Sequence, residues 1–267
     1  VLSPFHHVRR TAWRASELEA GDRVIPEEMA VALSYNGSSY AVMMATPRDF
    51  EDFALGFSLT ERIIESPDEI ESFEVVEQEL GVELRMWLSE PRAGALTERR
   101  RFMAGPTGCG LCGIDSLAEA MRVPPVISDD SSFSAGQIMA VVDSVADSQW
   151  LNQQTRAVHG AAFWRAETGL VAIREDVGRH NALDKLAGAL ARSGSGLGRG
   201  GIGVLTSRVS VEMIQKSAIA QFPVLVAVSA PTALAVRLAD AAGLTLAAVA
   251  RKDGFEIFTH PHRIRKA

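Results

Sequence analysis

The sequence predicts an α/β fold: a small α+β block followed by a layered sheet with helices on both faces. Three observations predict it. From residue 203 onward, strand-length apolar runs alternate with helix-length amphipathic runs, the pattern of a sheet covered on two sides. Upstream, Asn36-Gly37 sits between two short apolar runs, a strong hairpin signal. The composition is that of a globular protein, with 47% hydrophobic and 22% charged residues over 267 positions. That length gives a soft prior between one and two domains and room for a sizeable core.

Taken in order, residues 1–25 read as a loose arm. Runs 30–35 and 40–44 flank the Asn36-Gly37 turn as a strand pair. Thr46 is placed to cap a helix, Pro47 to occupy its first position and Asp49 to favour its positive end, with Phe50, Phe53, Ala54, Phe57 and Leu59 on the apolar face. That helix should end before Ser66-Pro67. Residues 71–88 alternate and read as strands. A glycine-rich loop at 105–113 holds both cysteines, and a short helix is expected at 115–122. Residues 134–148 form an amphipathic helix, 161–165 and 170–174 a strand pair, and 177–191 a helix. A Gly/Ser segment at 193–201 precedes the alternation: strand 203–206, helix 211–220, strand 224–228, helix 232–242, strands 244–250 and 256–259. The division is therefore 1–25 arm, 26–123 small α+β unit ending in the cysteine loop, and 124–267 α/β unit.

The chain carries 27 Lys+Arg against 33 Asp+Glu, a net charge of −6, which argues against a non-specific nucleic-acid binder. No apolar run approaches the roughly 20 residues that span a bilayer, and the first 14 residues lack the apolar block of a secretory signal. The expected compartment is the cytoplasm, with no membrane partner. There two thiols stay reduced.

Those thiols, Cys109 and Cys112, lie in Gly108-Cys109-Gly110-Leu111-Cys112-Gly113. So much glycine leaves little side chain to bury and lets a partner approach closely. A helix start near Asp115 would favour thiolate over thiol. Three readings compete: half of a zinc site, a dithiol redox pair, and sulfur carriage through a persulfide. Structural zinc wants four ligands, and no histidine pair has H-x₃₋₅-H spacing; no H-x-E triplet precedes Cys109, as a zinc deaminase would need. Thioredoxin-type pairs carry a bulky neighbour where this chain has glycine.

The cysteine loop resembles that of the FdhD/NarQ family, the formate dehydrogenase accessory sulfurtransferases. The likeness extends through Tyr35-Asn36-Gly37, the Thr46-Pro47 helix, the block Arg174-Glu175-Asp176-Val177-Gly178-Arg179-His180-Asn181-Ala182-Leu183-Asp184-Lys185, Ser207-Arg208, and Ser229-Ala230-Pro231-Thr232. One departure stands out: the family pattern has Thr-Gly-Gly before its loop histidine, and this chain has Thr155-Arg156-Ala157-Val158-His159, which puts that loop's geometry in question.

The resemblance implies a cytidine-deaminase-like three-layer C-terminal domain without zinc. It implies a sulfurtransferase that takes persulfide sulfur from an IscS-type cysteine desulfurase and passes it to the molybdenum bis(molybdopterin guanine dinucleotide) cofactor before insertion into formate dehydrogenase. Cys109 is then the persulfide residue and Cys112 its helper. The segment Val249-Ala250-Arg251-Lys252-Asp253-Gly254 is implicated in guanine-dinucleotide binding. The resemblance also implies a homodimer.

Other residues join this reading by position. Glu175, Asp176, Arg179 and His180 cluster at a strand-to-helix junction, where helix N–H groups suit phosphate. Ser207, Arg208 and Ser229 sit near strand ends, where ligands of open α/β sheets bind, and His159 is the loop histidine that the resemblance implies lies over the cofactor. For Arg251 and Lys252 the bland alternative is a charged hairpin turn, and for Ser229 and Thr232 it is helix capping. Two rival functions remain at this point: a cofactor chaperone whose thiols only grip the cofactor, and a deaminase-like zinc enzyme.

Overall fold

The computed structural model describes residues 2–101, 122–194 and 196–266, with side chains of 97–101 excepted. The expected helix at 115–122 lies almost wholly outside the described residues.

The first 26 residues are no loose arm. Strands β1 (Phe5–Arg14) and β2 (Glu17–Pro26) pair antiparallel along their whole length, closed by Ala15 and Ser16 at φ 47° and 70°. Two residues with positive φ make the turn whose twist suits a hairpin.

A four-stranded sheet follows, in the order β4-β3-β6-β5. β3 (Met29–Tyr35) and β4 (Ser38–Ala45) turn at Asn36 and Gly37, both at positive φ, as their sequence requires. β5 (Ile70–Gln78) pairs with β6 (Gly81–Leu88), which alternates strictly: Val82, Leu84, Met86 and Leu88 are buried, their neighbours are not. The buried face packs on α1 (Phe50–Thr60), and α2 (Glu90–Arg101) adds Leu96 to the same core.

α1 starts later than its sequence suggested. Its N-cap is Asp49, in a left-handed conformation, and Thr46 serves another purpose, described below. The helix is buried on nearly every side because it lies between the sheet and helix α5 (Arg179–Arg192). The two helices cross at glycines. A Cβ on Gly56 would fall 1.7 Å from the Asp184 carbonyl oxygen, and one on Gly188 would fall 1.9 Å from that of Asp52.

The remaining chain builds a six-stranded sheet in the order β13-β12-β11-β10-β8-β9. Its strands are β8 (His159–Arg165), β9 (Gly169–Asp176), β10 (Gly201–Leu205), β11 (Val224–Ala227), β12 (Thr245–Arg251) and β13 (Gly254–Ile257). β10, β11 and β12 are parallel; β8–β9 is a hairpin on one flank and β13 returns antiparallel on the other. Helix α3 (Ala135–Ser148) covers one face with Ile138, Val141 and Val145, after a capping box between Ser134 and Gln137. α5, α6 (Val211–Ile219) and α7 (Ala233–Ala241) cover the other with Leu183, Leu186, Met213, Ile214, Ala235 and Leu238. The result is the three-layer α/β arrangement anticipated. A short parallel pair, β7 (Phe133–Ser134) with β14 (Ile264–Arg265), ties the chain end to the start of α3. Between α3 and β8 lies α4 (Trp150–Thr155), which the sequence reading missed. Among the described residues no helix is long and apolar enough to cross a membrane.

Candidate functional site

Strand direction gathers the predicted residues. β9 runs antiparallel to β8, and β8 antiparallel to β10, so β9, β10, β11 and β12 all end at one edge of the sheet, where β8 begins. Asp176 ends β9, and Arg179 and His180 open α5 just beyond it. His159 opens β8, Ser207 and Arg208 follow β10, Ser229 follows β11, and residues 249–254 carry β12 into β13. From β9 to β12 is four strand spacings, about 19 Å. This is the edge at which open α/β sheets bind ligands.

Backbone bonds hold that edge together. Thr206 Oγ1 accepts the Gly160 N–H at 2.8 Å, and the Thr206 N–H returns to the Gly160 carbonyl at 3.0 Å, fixing His159 beside the end of β10. The loops after β10 and β11 are zipped by Val209 N–H to the Ala230 carbonyl and Thr232 N–H to the Val209 carbonyl. Val249 N–H reaches the Ser229 carbonyl at 3.3 Å; Val249 itself has φ 55°, at an irregularity between Ala248 and Arg251 that interrupts the regular β12–β13 register. The Arg251 guanidinium donates to the carbonyls of Val228 and Ala250, so part of its fork is already engaged. The turn falls at Lys252 and Asp253, both exposed, with Gly254 already in β13. Thr232 caps α7 by accepting the Ala235 N–H, while Ser207 is buried and its hydroxyl bonds the Arg208 carbonyl; Arg208 is exposed.

The four ionisable residues at the β9–α5 junction divide into two kinds. The carboxylates are structural. Glu175 accepts the N–H groups of Leu151 and Asn152, both at 2.8 Å, and so caps α4. Asp176 is fully buried and takes four donors: the N–H groups of Gly178 and Thr46, the Asn181 amide and the Lys185 ammonium. Thr46 is the other half of this clasp. Its hydroxyl accepts the Val177 N–H at 3.1 Å and its carbonyl accepts from Lys185 Nζ at 2.9 Å. The residue that resembled a helix cap instead fastens the first sheet's loop to the root of α5.

A second buried group ties α6 to α5 and to the end of α1. Lys216 Nζ lies 2.8 Å from Asp184 Oδ1 and 2.8 Å from Glu61 Oε1, with the Thr60 hydroxyl at 3.0 Å. Burial alone would lower the ammonium's pKa; Asp184 and Glu61 outweigh it and raise it, so Lys216 stays charged.

Arg179 and His180 are different. The Arg179 Nε and His180 Nε2 atoms are buried and have no hydrogen-bond partner among the described residues. Gly178, the N-cap of α5, has no side chain with which to cap the first N–H groups of the helix. His180 is pushed down to about 4 by burial and by the positive charges of Lys216 and Arg179, against Glu212 and Glu61. His159 is lowered too, by burial and then Arg179, with Asp176 opposing. Both imidazoles are therefore neutral near pH 7, beside a helix start suited to an anion.

Arg156 answers the question its sequence raised. It closes α4 at φ 57°, in the left-handed region that glycine favours, so the loop keeps a glycine-like geometry with an arginine in place. Cys109 and Cys112 lie outside the described residues.

Fold and ligand edge together define the class: a mixed α/β protein with a covered six-stranded sheet and a fastened four-stranded unit. The same fold occurs in the crystal structure of a Desulfotalea psychrophila protein proposed as a formate dehydrogenase accessory protein, with a TM-score of 0.78, 23% identity, and coverage of 98% of this chain and 100% of that one. The chain belongs to the FdhD/NarQ family, whose sequence model matches residues 26–265. It is similar to curated proteins named sulfur carrier protein FdhD. The one from Agrobacterium fabrum is 54% identical, covering 99% of this chain and 97% of that protein. Those from Brucella abortus and Cupriavidus necator are 52% and 47% identical, covering 97% and 95% of this chain and 95% and 88% of theirs.

Proposed function

We propose that the protein is a sulfur carrier for formate dehydrogenase maturation. It accepts sulfur from an IscS-type cysteine desulfurase and passes it to the molybdenum bis(molybdopterin guanine dinucleotide) cofactor, its substrate, in the reducing cytoplasm, as a homodimer. The observation that carries this reading is the family match over 26–265, with relatives above 50% identity named as sulfur carriers.

In the proposed reaction the Cys109 thiolate attacks the outer sulfur of the donor's persulfide. One S–S bond breaks, another forms, and the donor cysteine leaves as thiolate, without net oxidation. At the acceptor, the Cys112 thiolate attacks Cys109 Sγ. The two cysteines form a disulfide and the outer sulfur departs as sulfide; the two electrons it carries come from the dithiol, which a cellular thiol reductant restores.

The sheet edge suits the other end of the substrate. A span of about 19 Å accommodates an extended nucleotide. Arg179, the open N-terminus of α5, Arg208, Arg251 and Lys252 supply donors and positive charge for phosphates, and His159, His180 and Ser229 supply neutral polar groups between them. The test is genetic. In cells lacking the native gene, wild type should restore formate dehydrogenase activity, and Cys109→Ala should not, at equal protein level. Full activity with Cys109→Ala would reject the carrier role.

A further inference from the structure

The β1–β2 hairpin poses a problem that the sulfur chemistry leaves unsolved. Two ten-residue strands project with most side chains exposed, and a two-stranded hairpin is marginal in water. Its outer end is apolar. Trp13 and Leu18 face each other across the strands and are 67% and 71% exposed, with Thr11 and Ala20 the next pair on the same face. A paired exposed Trp and Leu has the character of an interface anchor.

The root of the same hairpin holds a matching vacancy. A cavity of about 750 Å³ is lined by Pro47, Arg48, Phe50, Val75, Glu77 and Trp150, together with Leu2 and Pro4, which lead into β1. Phe5 meets Trp150 edge-on at 5.8 Å, and the Arg48 guanidinium lies 5.2 Å over the Trp150 ring. The wall is chiefly apolar, and Arg48 and Glu77 give it one charge of each sign. The hairpin tip carries the same pair: Arg14 follows Trp13, and Glu17 precedes Leu18.

Knob and hole sit at opposite ends of one hairpin of ten-residue strands, about 30 Å apart. A tip therefore cannot reach its own cavity. Two hairpins laid antiparallel about a twofold axis place each tip at the other's root, so both knobs and both holes are filled at once. That arrangement closes; a head-to-tail arrangement of the same parts would not stop. The charges fit it, Arg14 toward Glu77 and Glu17 toward Arg48.

We propose that the hairpin is the dimerisation arm of this protein, and that its Trp13–Leu18 tip occupies the cavity between β5, the start of α1 and Trp150 of a second copy. The proposal rests on the homodimer reading above and specifies its surface.

Sedimentation equilibrium of the full-length chain tests it, with circular dichroism to confirm folding. The wild type should be a dimer. Trp13→Ser/Leu18→Ser, at exposed positions that leave the fold intact, should dissociate about thirtyfold more readily. Glu77→Arg should weaken the dimer, and Arg14→Glu added to it should restore much of the loss, which a merely structural effect would not do. An unchanged dissociation constant in the tip variant would overturn the arm and leave the homodimer standing. A monomeric wild type would overturn both.

Discussion

Lys185 Nζ lies 2.6 Å from Asp176 Oδ2, and neither side chain is exposed. The pair connects α5, nearly two turns in, to the end of β9, and both partners also hold Thr46, which belongs to the loop before α1. It thereby fixes the start of α5, where Arg179 and His180 stand, relative to the four-stranded sheet. Removing one partner leaves a buried charge uncompensated, which costs about 3–5 kcal/mol. Lys185→Met and Asp176→Asn should each lower stability by about that amount in urea denaturation, and the double variant by clearly less than the sum.

The crossing of α1 and α5 depends on the absence of two side chains. Gly56→Ala and Gly188→Ala each drive a Cβ into backbone that cannot yield without separating the helices. Each should destabilise by several kcal/mol, on the order of 3 or more. Gly94→Ala is the control: its added Cβ meets nothing within 4 Å on an exposed helical position, and it should be neutral or slightly stabilising. Thermal melts of the three variants check the contrast.

Acid should weaken the fold through His180. Its folded-state value is depressed from the ordinary 6.5 to about 4. Between those values the unfolded chain takes up a proton that the folded chain refuses. Stability is therefore full above pH 6.5, falls as pH drops toward 4 and levels off below it. His180→Gln should remove about 3 kcal/mol of that fall. Denaturation midpoints across this window, wild type against variant, measure the difference.

Arg156 sits in a conformation that costs an L-residue about 1–2 kcal/mol. Arg156→Gly should raise stability by up to about 1 kcal/mol, glycine losing part of the gain to its freer unfolded state. A higher melting temperature is the expected reading.

Much of this was legible in sequence because the signals were local. The Asn36-Gly37 turn, the amphipathic helix at 134–148, the Thr232 cap and the strand–helix alternation after residue 203 all depend on neighbours within a few positions. Placement of Ser207, Ser229 and residues 249–254 on one edge followed from that alternation, since parallel strands end together, whereas His159 reaches it because β8 runs antiparallel and begins there. What escaped was non-local. Thr46 looks like a cap until Asp176, Val177 and Lys185, some 130 positions away, claim its three polar groups. Helix α4 is capped by Glu175 from 23 and 24 positions downstream. The β1–β2 hairpin lacks a buried face, so its strands show no clean alternation of apolar and polar residues.

The most direct measurement of the sulfur-carrier account is intact-protein mass spectrometry after incubation with a cysteine desulfurase and cysteine. The account predicts a gain of one sulfur atom, removable by a thiol reductant, present in Cys112→Ala and absent in Cys109→Ala. A protein that never acquires sulfur, or one that acquires it equally without Cys109, would contradict it.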